Sequence, residues 1–149
     1  MTTLFETAKL LAQLSEERAS KMNVPITISV IDVHGNLVLK HRMTGAPLIS
    51  IEMSERKAYT SALTFMATKD VTPLAQPGQR MHTITDFAGG RFVAFGGGVP
   101  LVENGQVIGG VGVSGGTTEE DLEIVEGALE DLHEKSPSQP EPIEERRRE

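Results

Sequence analysis

The sequence predicts an α+β fold, an antiparallel sheet covered by helices, and three observations carry that prediction. Apolar residues recur at helical spacing in three separate segments. Short alternating runs come in pairs across glycine-containing turns, as β-hairpins do. Strands and helices do not alternate one for one, which disfavours a doubly wound parallel sheet. The expected order is α-β-β-α-β-β-β-α. At 149 residues the chain fits one domain and is long enough to bury a core without covalent staples.

Each element has its own signal. Leu4, Ala8, Leu11, Ala12, Ala19 and Met22 set a helix over 3–22, stopped by Asn23-Val24-Pro25 because the residue before proline avoids the helical region. Ile26, Ile28 and Val30 alternate with Thr27 and Ser29, a half-buried strand. The turn residues Asp32-Val33-His34-Gly35-Asn36 follow, then a second alternating run over 37–43. A loop over 44–48 leads to a helix over 50–67, with Ser50 expected as its N-cap. The prolines and glycine of 69–82 predict a loop. Arg91–Phe95 reads as a short strand, Leu101-Val102 as another and 106–113 as a third. Thr117 and Glu120 match a capping box opening a helix over 118–133, with Leu122, Val125, Leu129 and Leu132 as its apolar stripe. Residues 1–135 are therefore expected to form the domain. Residues 136–149, rich in proline and mixed charge, are expected to be a disordered tail.

Composition excludes several functions. There is no cysteine, so disulfides, zinc–thiolate sites, iron–sulfur clusters and thiol catalysis are absent. A net charge of −7 argues against nucleic acid and against an anionic membrane surface as partners. No apolar stretch approaches the roughly 20 residues a membrane helix needs. The N-terminus shows no basic and apolar leader pattern, so a cytosolic location is expected.

The glycines are clustered. Gly96-Gly97-Gly98 follows one expected strand, and Gly109, Gly110 and Gly112 lie inside the next. Glycine inside a strand marks a bulge or a close backbone approach. One reading is a flat ligand or another subunit on bare backbone; the other is sheet curvature and helix packing. Ser114-Gly115-Gly116, just before the last helix, offers free amides and a helix dipole to an anion, or else serves in ordinary capping. His34 sits in the hairpin turn, His41 in register with Leu37, Leu39 and Met43, and His82 in a loop. No HExxH or His-x-His pair supports a zinc site, whereas haem needs only one axial donor. Arg42 and Lys57 are candidates to hold a carboxylate or propionate, with a structural ion pair as the competing role. No Gly-Lys-Ser/Thr phosphate loop or Gly-x-Ser-x-Gly elbow is present.

Taken together, several blocks look familiar. Val30-Ile31-Asp32-Val33-His34-Gly35-Asn36-Leu37-Val38, Arg42-Met43-Thr44-Gly45-Ala46 and Lys57-Ala58-Tyr59-Thr60 come first; Phe95 to Leu101, Ile108 to Gly116 and Asp121 follow. In this order they resemble the GlcG/HbpS-like family, which includes the haem-binding protein HbpS and the C-terminal domain of PduO proteins. The resemblance spans about residues 5–132. His34, where the family often has glycine, is closer to the PduO-like branch; Thr44 and Glu120 stand where Asp and Gln are common. The resemblance implies a profilin-like fold, α/β/α in layers, with an antiparallel sheet of about five strands. It implies a homo-oligomer, with octamers known in the family, and a small-molecule ligand that is haem or another tetrapyrrole. It also implies a role in redox sensing or in diol or glycolate utilisation. In PduO proteins the adenosyltransferase activity belongs to a separate N-terminal domain, so the resemblance does not imply that activity here. Under that reading one of His34, His41 or His82 is the axial ligand, and Arg42 or Lys57 neutralises a propionate. Two alternatives stay open: an enzyme or accessory factor binding a small anion at Ser114–Gly116 and Arg42, and an assembly protein whose glycines serve packing alone.

Overall fold

A computed structural model describes residues 2–135; the expected tail over 136–149 lies outside them. Helix α1 (Leu4–Met22) opens with a capping box, in which the Glu6 amide donates to Thr3 Oγ1 (3.1 Å) and the Thr3 amide to Glu6 Oε2 (3.2 Å). It ends at Asn23 in the left-handed conformation (φ 60°). Strand β1 (Thr27–Asp32) pairs antiparallel with β2 (Leu37–Arg42) on one side. On the other it pairs with β4 (Gln106–Ser114), which in turn pairs with β3 (Gly98–Glu103). The strand order is β2-β1-β4-β3.

Helix α2 (Leu48–Thr64) lies on one face of this sheet, and α1 and α4 (Thr118–Lys135) cover the other. Ile26, Ile28, Val30, Val99, Leu101, Val111 and Val113 form the core with the apolar stripes of α1 and α4. Arg18 of α1 reaches Asp131 of α4 in a two-pronged contact (2.8 and 3.0 Å). None of the described helices is long and apolar enough to cross a membrane.

The layering follows the expected class, with five local differences. The sheet has four strands, not about five. Arg91–Phe95 is irregular because its backbone is tied to helix side chains: the Val93 amide donates to Thr60 Oγ1 (2.9 Å), and the Ala94 carbonyl accepts from Thr72 Oγ1 (2.6 Å). The expected loop at 69–82 begins with a short helix α3 (Thr68–Leu74), anchored by buried Thr68 and Val71. Ser50 is not the cap of α2. The helix starts two residues earlier after Pro47, and Ser50 is buried, its hydroxyl 2.8 Å from that of Thr27. Finally, β1 is buried on both faces, since Thr27 and Ser29 meet Ser50 and Ser54 of α2 at 2.8 Å each.

The glycines of β3 and β4 explain why α2 sits where it does. A Cβ at Gly112 would strike the Ser54 carbonyl, at Gly110 the Ala58 carbonyl, and at Gly98 the Lys57 carbonyl (2.5 Å). The backbone of α2 thus lies directly on bare sheet backbone, and small residues on the helix, Ala58 and Ala62, are fully buried against it. A side chain here would force the layers apart. Gly110→Ala and Gly112→Ala should each lower stability by about 1–3 kcal/mol or more, read as the shift of a urea unfolding midpoint at constant m-value. Wild-type stability in either variant would contradict this packing.

Candidate functional site

The sequence-predicted residues divide into two groups in space. Lys57 projects from α2 through the gap left by Gly97 and donates to the Val113 carbonyl (2.9 Å) and to Asp121 Oδ2 of α4 (2.9 Å). Its side chain is 3% exposed and that of Asp121 4%. Gly97 adopts φ 126°, and a Cβ there would meet Lys57 Nζ at 2.9 Å and the Val113 carbonyl at 2.7 Å. Burial pulls the Lys57 pKa below and lifts the Asp121 pKa above their ordinary values; each partner's charge works the other way. Burial thus weighs against both charges, and the mutual contact together with the Val113 carbonyl and the Gly116 amide offsets part of it. Lys57 is an internal tie across the sheet, and its ammonium does not face outward toward a ligand carboxylate. Gly98 likewise lies under α2, its amide donating to buried Thr68 Oγ1 (2.9 Å).

The same tie occupies the expected anion loop. The Gly116 amide donates to Asp121 Oδ1 (2.9 Å) and the Thr117 amide to Glu120 Oε1 (2.8 Å). Two of the protein's own carboxylates thus fill the positions where an external anion would bind at this helix start. Ser114 lies opposite Thr27 in the β1–β4 register and is 6% exposed, Gly115 packs on Pro25 and Ile26, and Gly96 packs on Thr118 and Leu122.

The histidines stay apart from this node and from one another. His34 is exposed in the β1–β2 turn. The turn is held by Asp32, whose Oδ1 accepts from the amides of His34 (2.9 Å) and Asn36 (3.0 Å). Burial works to raise the Asp32 carboxyl, but the hydrogen bonds from Asn36 and His34 outweigh it and hold the group below its usual range. His41 faces α1 from the edge strand β2, its Nε2 at 3.1 Å from Glu16 Oε1. His82 is exposed between α3 and the kinked 3-10 segment Ile84–Gly90. Arg42, at the end of β2, donates to the Ala46 carbonyl (2.6 Å). No group of three or more metal-ligating side chains occurs among the described residues.

The hairpin turn also forms one lip of an open cleft of about 240 Å³, whose lining includes Asn36, Leu37, Glu55, Arg56, Tyr59 and Arg91. A Cβ at Gly35 would meet the Tyr59 ring at 3.1 Å, so the turn rests on that ring. Arg56, Tyr59 and Arg91 belong to no recognisable binding motif in the sequence. The two glycines that precede Arg91 were the one local sign that its loop has special geometry. The partner of Asp121 is equally invisible in the sequence, since nothing local links positions on α2 and α4.

Two outcomes follow. Lys57→Met and Asp121→Asn should each cost about 3–5 kcal/mol in urea unfolding, because each leaves an uncompensated buried group. The double variant Lys57→Met/Asp121→Leu should recover most of that loss; additive losses would refute the pairing. A carboxylate depressed in the fold contributes stability that is present above its unfolded pKa and lost as pH falls through the lower folded value. The stability difference between wild type and Asp32→Ala should therefore be full above about pH 5 and shrink below about pH 4, followed by urea melts across that range.

The sequence model described as "Haem degrading protein HbpS-like" matches residues 4–130. A 15.0 kDa uncharacterized protein of the dhaT–dhaS intergenic region of Citrobacter freundii is 42% identical over 129 residues, 87% of this chain and 91% of that protein. The corrinoid adenosyltransferase PduO of Salmonella typhimurium is 36% identical over 119 residues, 80% of this chain but 35% of PduO, so the chain spans about a third of that enzyme. Among solved structures, the crystal structure of a PduOC:heme complex aligns with a TM-score of 0.81 at 33% identity, covering 87% of this chain and 93% of that one. The match over nearly all described residues, on the fold and glycine packing described above, shows that this chain belongs to the HbpS-like family.

Proposed function

We propose that this chain is the binding module of a homo-oligomer, an octamer by family resemblance, and that its ligand is haem or a related tetrapyrrole. The observation that carries this reading is the likeness to the PduOC:heme complex across almost the whole fold. The residues present suit the group. His34 offers an exposed imidazole on a turn fixed by Asp32, and His82 and His41 are the other candidates for the axial position. Arg42 is the outward-facing cation for a propionate; Lys57 is committed to Asp121. The clefts between α1 and β2 and beside the hairpin turn are open and of about 340 and 240 Å³. One protomer thus supplies a face for a flat ligand, and a second protomer closes it. When bound, haem supplies redox and ligand-exchange chemistry at its iron; the protein's part is to present the imidazole and neutralise the propionates. In the cell we place the module in the cytosol, in redox sensing or in diol or glycolate utilisation.

A hemin titration of the apo-protein, followed by visible absorbance and paired with light-scattering mass, tests this. The expected result is a saturable Soret change that one of His34→Ala, His41→Ala or His82→Ala abolishes, in an assembly larger than a monomer. An unsaturable shift that survives all three substitutions would overturn the haem reading. It would leave an assembly protein whose glycines serve packing.

A further inference from the structure

We propose that the cleft between the β1–β2 turn, α2 and the loop 87–91 is a carboxylate-binding site, with Arg56 and Arg91 as its cations and Tyr59 as its floor. The chain as a whole is acidic, at net −7, yet two guanidinium groups line this one cleft. Both are held in place by the protein. Arg56 donates to the Gly90 carbonyl and to Glu52 (2.6 Å). Arg91 donates through Nε to the Ala88 carbonyl (2.9 Å) and stacks over the Tyr59 ring at 4.5 Å. A guanidinium has five N–H donors, so both keep donors for a ligand. One carboxylate, Glu55, also lines the cleft and is paired with Lys40 (3.1 Å), and Glu52 is paired with Arg56, while Arg91 has no carboxylate partner among the described residues.

The loop is built at a cost that this arrangement explains. Ala88, Gly89 and Gly90 all adopt positive φ (54°, 67° and 81°), and a non-glycine residue such as Ala88 is seldom found there. The carbonyls of Ala88 and Gly90 are the ones that receive the two arginines. The floor is equally fixed: Tyr59 is 7% exposed and packs against Phe92 with ring centroids 5.2 Å apart. Leu37, 49% exposed, adds an apolar wall beside the exposed Asn36 amide. A planar carboxylate meets a preset arginine fork better than it meets a point charge. The chemistry that fits is a carboxylate on a short apolar stem. Such a group belongs to a free organic acid or to the propionate arm of a tetrapyrrole. Only the second source rests on the haem reading.

Tyr59 is the sole tyrosine and the chain has no tryptophan, so intrinsic emission reports on this cleft alone. The full chain, free of tetrapyrrole, is titrated with propionate and with succinate against chloride at matched ionic strength, reading Tyr59 emission and melting temperature together. Saturation of either signal beyond the chloride control is expected. Arg56→Gln and Arg91→Gln should each weaken it about tenfold or more, and Arg91→Lys should restore only part of the affinity. In a parallel arm, protoporphyrin IX is compared with its dimethyl ester by visible absorbance. Tighter binding of the free acid that Arg91→Gln removes identifies the propionate as the source. Saturation by the small acids alone identifies a free organic acid, and it stands even if hemin fails to bind. If the small acids move neither signal and the ester binds as well as the free acid, the cleft is not a carboxylate site, whatever hemin does.

Discussion

The contact of α2 with the unclothed backbone of β3 and β4 is the constraint on which the rest depends. Because Gly98, Gly110 and Gly112 present no Cβ, the helix carbonyls of Ser54, Lys57 and Ala58 come down to the sheet itself. At that separation Lys57 cannot turn outward. It passes through the opening at Gly97 and finds Asp121 on the other side. One ion pair thereby joins α2 to α4 through the end of the sheet, with both side chains almost wholly buried. The hydroxyl pairs Thr27–Ser50 and Ser29–Ser54 serve the same closeness, each satisfying two buried polar groups within a layer too thin for larger side chains.

This constraint also separates structure from function in the molecule. The most conspicuous part of the sequence, its glycine-rich runs, is spent on packing, and the helix start that would hold an anion is satisfied by Asp121 and Glu120. The polar side chains left exposed lie along the outer edges of the fold: His34 on the hairpin turn, Arg42 on the edge strand, and the loop whose carbonyls receive Arg56 and Arg91.

How much of this was legible in the sequence depends on the range of the interaction involved. Local signals read well. The capping box at Thr117 and Glu120 forms, and so do the hairpin at 32–36 and the helical stripes of α1 and α4, since each is decided within a few residues. The close-approach reading of the glycines offers a ligand, another subunit or a packed helix, and only the fold shows that it is α2. Arg91–Phe95 carries a strand-like pattern but was claimed by hydroxyls of α2 and α3, a tertiary preference no local pattern encodes. Ser50 looked like a cap because a buried serine and a capping serine are the same letter; only its partner Thr27 distinguishes them. Lys57 and Arg56 are adjacent in sequence, yet one is sealed inside and the other lines a cleft, a difference set by which side of α2 meets glycine.

The sheet order has a bearing on how the chain acquires its structure. β1 and β4, the two central strands, come from opposite ends of the domain, and each belongs to a hairpin of its own. Neither hairpin has a buried neighbour until the two meet, and α2, made between them, has no glycine surface to rest on before β4 exists. Closure of the core therefore waits for β4, and then α4 with Asp121, to leave the ribosome. Until then the nascent chain exposes the apolar face of β1 together with a lysine that has no counter-ion.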